Sequence, residues 1–297
     1  MAAVLIAVVV ALVLGHAVPA LANARQFGWF DAWMRWLGGH LGTSGQASTR
    51  AYASVLLGIG IPVAVVAVIQ SGLAGAVFGF PAFVFAAAVL FYCWGPRDLD
   101  LDVTAIAEAP DSERRRVAAR VLLPPDAAPV LGGPVLVSAV FREALRRWFG
   151  VLLWFLLLGP FGALLYRLAQ LAAFETPGLE PPARAVAQRL AAIVDWPAAQ
   201  LMVLGLALAA HFDAVFAAWR DWHAQRGQGY LQLDTGFLEA AGRASVRTEL
   251  AEEAELADGE EPPRELPELH DAMSLNWRVL LVWLTVLALV VLAGFVN

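Results

Sequence analysis

An all-α polytopic membrane bundle, with about six transmembrane helices plus interfacial and cytoplasmic helices, is the fold class that three observations predict. Hydrophobic residues make up 60% of the 297 positions and charged ones only 15%, against about 25% charged in an ordinary soluble domain. The apolar residues are gathered into runs close to the roughly 20 that a helix needs to cross a bilayer core of about 30 Å. All 20 basic residues are Arg, and most of them fall between the runs. The whole of 1–297 therefore reads as a single integral membrane domain.

The runs are Ala2–Leu21, Ala53–Ile69, Leu73–Trp94, Phe149–Tyr166, Pro197–Trp219 and Val279–Val296. The first ends on Ala22-Asn23-Ala24, which imitates a signal-peptidase site, but it lacks a basic n-region and is expected as a retained span. Gln70-Ser71-Gly72 is expected to turn the chain into the third run. Gly75, Gly79 and Pro81 in that run suit a helix packed among neighbours that repair its backbone. In the fourth run, WFLLLGPFGALLYRLAQ, Gly159 and Gly162 permit close packing. Pro160 should kink the span and free a carbonyl, and Tyr166 and Arg167 should form an amphipathic end at the boundary.

Between the runs, QFGWFDAWMRWLGGHLG sets Phe27, Phe30, Met34 and Leu37 on one helical face and Trp29, Trp33 and Trp36 on another, as expected of an interfacial helix. Residues 96–147 and 220–277 are expected as extramembrane cytoplasmic segments, with the acidic, Pro-punctuated 248–269 as a flexible loop. Arginines concentrate after the first, third and fifth runs, so by the positive-inside rule those segments are cytoplasmic and both termini periplasmic.

Charge and motif content exclude more than they assign. No basic stripe supports nucleic-acid binding. The lone Cys93 excludes an internal disulfide and reads as a buried small hydrophobe. None of HExxH, a supported GxSxG, GxxxxGK[ST] or a strand-to-helix GxGxxG is present.

Candidate chemistry comes from polar groups at the ends of the runs. In GPRDLDLDV, Asp98, Asp100 and Asp102 would share one side of an extended loop, where Asp98 and Asp100 could hold Mg²⁺. On a helix, successive members would stand about 200° apart, and the run would simply be an acidic helix start. His211 and Asp213 follow an apolar stretch, and His223 comes a few turns later. Ionisable groups at membrane depth are functional candidates, whereas a helix leaving the bilayer near His211 would make them ordinary surface groups.

Three stretches together resemble the AmpE family, inner-membrane proteins of the ampicillinase-regulation operon. RRWFGVLLWFLLLGPFGALLYRL at Arg146–Leu168 is similar to the family's fourth span. IVDWPAAQLMVLGLALAAHFDAVFAAW at Ile193–Trp219 is similar to the start, late polar pair and close of the next one, and GPRDLDLDV to the acidic segment after the third. That family in turn resembles the CobD/CbiB membrane enzymes of cobalamin synthesis. Gly162, Ala163, Tyr166 and Arg167 match their Pro-Gly-Ala-x-x-Tyr-Arg run, and Asp195-Trp196-Pro197-Ala198 partly matches a second motif. Of their His-Pro-Ser-Pro-Asn-Ala-Gly motif only His223 and Gly229 have counterparts, and Arg146 and Arg147 stand where the enzymes carry Glu-Asn.

The AmpE resemblance implies a regulatory or sensory inner-membrane protein linked to β-lactamase induction and cell-wall recycling, with no cofactor expected. The expected partners are the lipid bilayer, a membrane protein, and a small anionic or nucleotide-like ligand. The ligand would sit in a cavity formed by Asp98, Asp100, Asp102, Tyr166, Arg167, Asp195, His211, Asp213 and His223. The enzyme resemblance implies an amide-forming ligase using ATP and Mg²⁺ as the alternative. A scaffold for a single-span protein is a third reading.

Overall fold

In a computed structural model, the chain is described at residues 6–8, 10, 25–41, 47–73, 79–95, 98–123, 132–226, 233–256 and 266–293, and no strand occurs among them. Most of the first expected span, with His16, lies outside the described residues, as do Gly75, Gly229 and 257–265 of the acidic loop. Three helices are long and apolar enough to cross a membrane: Ala47–Leu73, Pro181–Ala209 and Pro267–Leu292. A shorter apolar helix covers Phe80–Cys93. These features make the chain an all-helical membrane protein.

The chain divides into two compact units, the first built from Met1–Pro96, Gly150–Asp195 and Val291–Asn297, the second from Arg97–Phe149 and Trp196–Val290. In the first unit, α1 (Gly28–His40) buries Phe30, Met34 and Leu37 and packs on α2 (Ala47–Leu73). Trp29 and Trp36 remain exposed, which is the two-faced pattern of an interfacial helix. Gln70, Ser71 and Gly72 are helical within α2 rather than a turn. The break comes later: Gly79 takes a left-handed conformation, and Pro81 sits in the first turn of α3 (Phe80–Cys93), where its missing amide hydrogen costs nothing.

The expected fourth span is a hairpin. Helix α7 (Gly150–Leu158) stops at Gly159, and α8 (Pro160–Gln170) begins immediately after it. A Cβ at Gly162 would strike the Trp154 carbonyl, and one at Gly150 would strike the Tyr166 ring. Those pairs are equidistant from Leu158, so the two helices run back along one another. Gly159 supplies the reversal with φ 76° and ψ −156°, a region essentially reserved for glycine. Helices α2 and α3 both pack against α8. Helix α9 (Pro181–Ala209) starts in this unit, and the chain passes to the second unit after Asp195.

The second unit contains α4 (Leu99–Ala107), α5 (Ser112–Ala119), α6 (Gly133–Ala144) with a π turn at Leu145–Phe149, α10 (Phe212–Arg226), α11 (Gly236–Leu256) and most of α12 (Pro267–Leu292). Helix α4 packs on α5 and α6, while α11 packs on both α6 and α10. The expected fifth span, Pro197–Trp219, is interrupted at Ala210 and His211, where α9 ends and α10 has not begun. The acidic stretch beyond Thr248 opens as the last turns of α11, to Leu256.

Candidate functional site

In the first unit, one residue from α9 and three from α8 bring polar groups into an apolar interior. Tyr166, Arg167, Gln170 and Asp195 are between 0 and 5% exposed. The Tyr166 hydroxyl donates to Asp195 Oδ1 at 2.6 Å, and Gln170 Nε2 donates to the same oxygen at 2.7 Å. Both donors come from successive turns of α8, so its register fixes them against the carboxylate. The Tyr166 ring is fixed as well, because it lies over Gly150, where no side chain competes for the space.

Arg167 points elsewhere. Its Nε donates to the Cys93 carbonyl at the end of α3, at 2.8 Å, where a cation also opposes the negative end of the helix dipole. Arg25 serves the same helix end, donating to the Gly95 carbonyl at 3.0 Å and stacking on Phe91. Arg167 is therefore a buried anchor and not a boundary residue reaching for water. Gln170 Oε1 is buried and makes no hydrogen bond, so it is an acceptor that can take an N–H or O–H from a bound group. The sequence reading missed Gln170, although its place one turn after Tyr166 was a usable signal.

The hairpin tip depends on a second amide. Gln70 Nε2 donates to the Leu158 carbonyl at 3.2 Å, and the Phe161 amide donates to Gln70 Oε1 at 3.2 Å. One side chain of α2 thus satisfies one orphan group on each side of the break.

The remaining sequence candidates belong to the second unit. Asp98 caps α4 by accepting from the Asp100 amide at 3.1 Å. Asp100 and Asp102 fall in the first turn, so the segment is the acidic helix start and not the extended loop. Asp102 is buried and paired to Arg147 at 2.7 Å, while Arg147 also meets Glu143 at 2.9 Å. Burial works against the Arg147 charge, but Glu143 and the Asp102 hydrogen bond outweigh it, so its pKa lies above the ordinary guanidinium value. With Asp98 turned to its own helix and Asp102 held by arginine, these carboxylates do not form the converging oxygen set that Mg²⁺ takes. No group of three or more His, Cys, Asp or Glu placed to hold a metal occurs among the described residues.

His211 pairs with Glu252 at 3.2 Å in partly exposed surroundings, and Asp213 is exposed in the first turn of α10. His223 is buried, with Nδ1 at 2.7 Å from the Trp219 carbonyl and its ring against Trp222 and Phe237. These three residues have separate surroundings, and His223 has those of a core histidine. Comparison of the chain with protein-family models, curated proteins and solved structures finds no match.

Proposed function

We propose that the chain is a multi-pass inner-membrane protein of the AmpE type, with arginine-rich segments in the cytoplasm and termini in the periplasm. Its role is regulatory or sensory, linked to β-lactamase induction and cell-wall recycling, and it responds to a small anionic ligand or a membrane protein partner. The resemblance of Arg146–Leu168 and Ile193–Trp219 to that family supports the biological role.

One observation supports a binding role: Asp195, a carboxylate buried among apolar helices, accepts hydrogen bonds from two side chains of α8. A buried polar network is often no more stable than well-packed apolar groups of the same volume, and ionisable groups inside membrane proteins are functional by default. Movement of α8 about Gly159 would break two charge-assisted hydrogen bonds together, which gives the helix two discrete positions for a ligand to choose between. Gln170 Oε1 supplies an acceptor for a ligand's hydroxyl or amide hydrogen. The ligase alternative asks His223 for proton transfer, and the burial of that ring against Trp222 and Phe237 favours the binding reading over it.

The test is β-lactamase induction in the native host after deletion of the gene, with complementation by wild-type, Asp195→Asn and Tyr166→Phe proteins. We expect deletion to alter induction, wild type to restore it, and both variants to reach the membrane at normal levels without restoring it. Unaltered induction after deletion overturns the regulatory role. Full restoration by both variants overturns the role of the cluster. A reporter fused after Asn297 that proves cytoplasmic overturns the orientation.

A further inference from the structure

The second unit contains a cavity of about 540 Å³ between α10, α11 and the starts of α6 and α12, within the size range of sites for small molecules. Its charges come from three helices. Arg243 and Arg247 stand one turn apart on α11, Asp221 lies on α10, and Glu268 lies in the first turn of α12. Leu250 and Trp222 contribute apolar surface to the same walls. Arg243 donates to the Ser138 hydroxyl, which holds its guanidinium in place. Among the described residues, Arg247, Asp221 and Glu268 form no ion pair with one another or with any other group.

Two cations and two anions facing one cavity without pairing restrict what it can hold. A simple anion would meet Asp221 and Glu268, and a simple cation would meet both arginines; like charges brought together are costly. A molecule with both charges and an apolar body meets neither penalty. We propose that this cavity binds a short zwitterionic peptide with an apolar side chain. Arg243 and Arg247 take its carboxylate, Asp221 and Glu268 its ammonium, and Leu250 and Trp222 its side chain. This site lies wholly in the second unit and does not depend on the Asp195 cluster.

Calorimetric titration of the full chain in detergent, with the dipeptide Ala-Phe and two blocked forms, tests the assignment. N-acetyl-Ala-Phe lacks the ammonium, and Ala-Phe amide lacks the carboxylate. Ala-Phe should bind, and each blocked form should bind at least about tenfold more weakly, the scale of one charge-assisted hydrogen bond. Arg247 is exposed, so Arg247→Gln leaves the fold intact; it should weaken Ala-Phe about tenfold and leave the amide form unchanged. Glu268→Gln should do the converse, weakening Ala-Phe and leaving the acetylated form unchanged. Failure of Ala-Phe to bind at millimolar concentration overturns the proposal. Equal binding of the acetylated form identifies a plain anion site and overturns it as well, as does an Arg247→Gln protein that binds Ala-Phe like wild type.

Discussion

At Gly159 the backbone adopts φ 76° and ψ −156°, and an added Cβ would lie 2.7 Å from Gln70 Nε2. Gly159→Ala therefore meets strain and collision together. The strain alone is of order 1–3 kcal/mol, and thermal unfolding of the purified protein should show a clear fall in midpoint. Arg147 makes a different prediction. Arg147→Ala leaves Asp102 charged and buried and should destabilise by about 3–5 kcal/mol. Glu143, more accessible and within 3.8 Å of Arg146, loses less. Replacing both partners, Asp102→Leu with Arg147→Met, should recover most of that loss, because the cost lies in the unpaired charge. A double-mutant cycle in detergent measures the recovery, and additive losses would show that the pair is not the source.

Prolines inside the long apolar helices remove hydrogen bonds, and aromatic side chains appear beside the gaps. Pro62 cannot donate to the Gly58 carbonyl one turn earlier, and Trp33 Nε1 donates to that carbonyl from α1 at 2.9 Å. Trp154 Nε1 reaches the Val194 carbonyl at 2.9 Å in the turn before Pro197. Trp33→Phe should thus cost about 1–3 kcal/mol through the abandoned carbonyl. In a Pro62→Ala background the restored amide takes over, and the cost of Trp33→Phe should fall; equal costs in both backgrounds would count against the pairing. The two faces of α1 were legible from spacing alone, since period and burial are local properties. The hairpin was not. Pro160 suggested a kink, but reversal depends on a backbone angle at Gly159 and on an amide from Gln70, 88 positions from the carbonyl it serves. Periodicity carries no trace of a partner that distant.

For the whole chain, composition announced a membrane protein, while the number of spans was harder to read, because Phe149–Tyr166 and Pro197–Trp219 are apolar without being continuous helices. The Asp195 cluster was half legible: Tyr166 and Asp195 stood out as polar groups in apolar runs, but their meeting is a tertiary fact. Helices α2 and α12 leave most of their apolar windows uncovered by protein, whereas over half of the α9 window is covered. The uncovered surfaces are what lipid contacts. Ile61, exposed near the middle of α2, should accept arginine poorly, since a basic residue at a span centre costs about 2.5–3.5 kcal/mol on insertion. Ile61→Arg should lower the membrane-inserted fraction, read by carbonate extraction, while Val117→Arg on the short, charged α5 should not. Gln70 also bears on the order in which the molecule is made. It leaves the ribosome well before Leu158 and Phe161, so α2 is already synthesised when the segment it clamps emerges. The hairpin closes against a template laid down earlier, and a defect at Gln70 would appear during synthesis, as chains that stall with the reversal unformed and are cleared by membrane proteases.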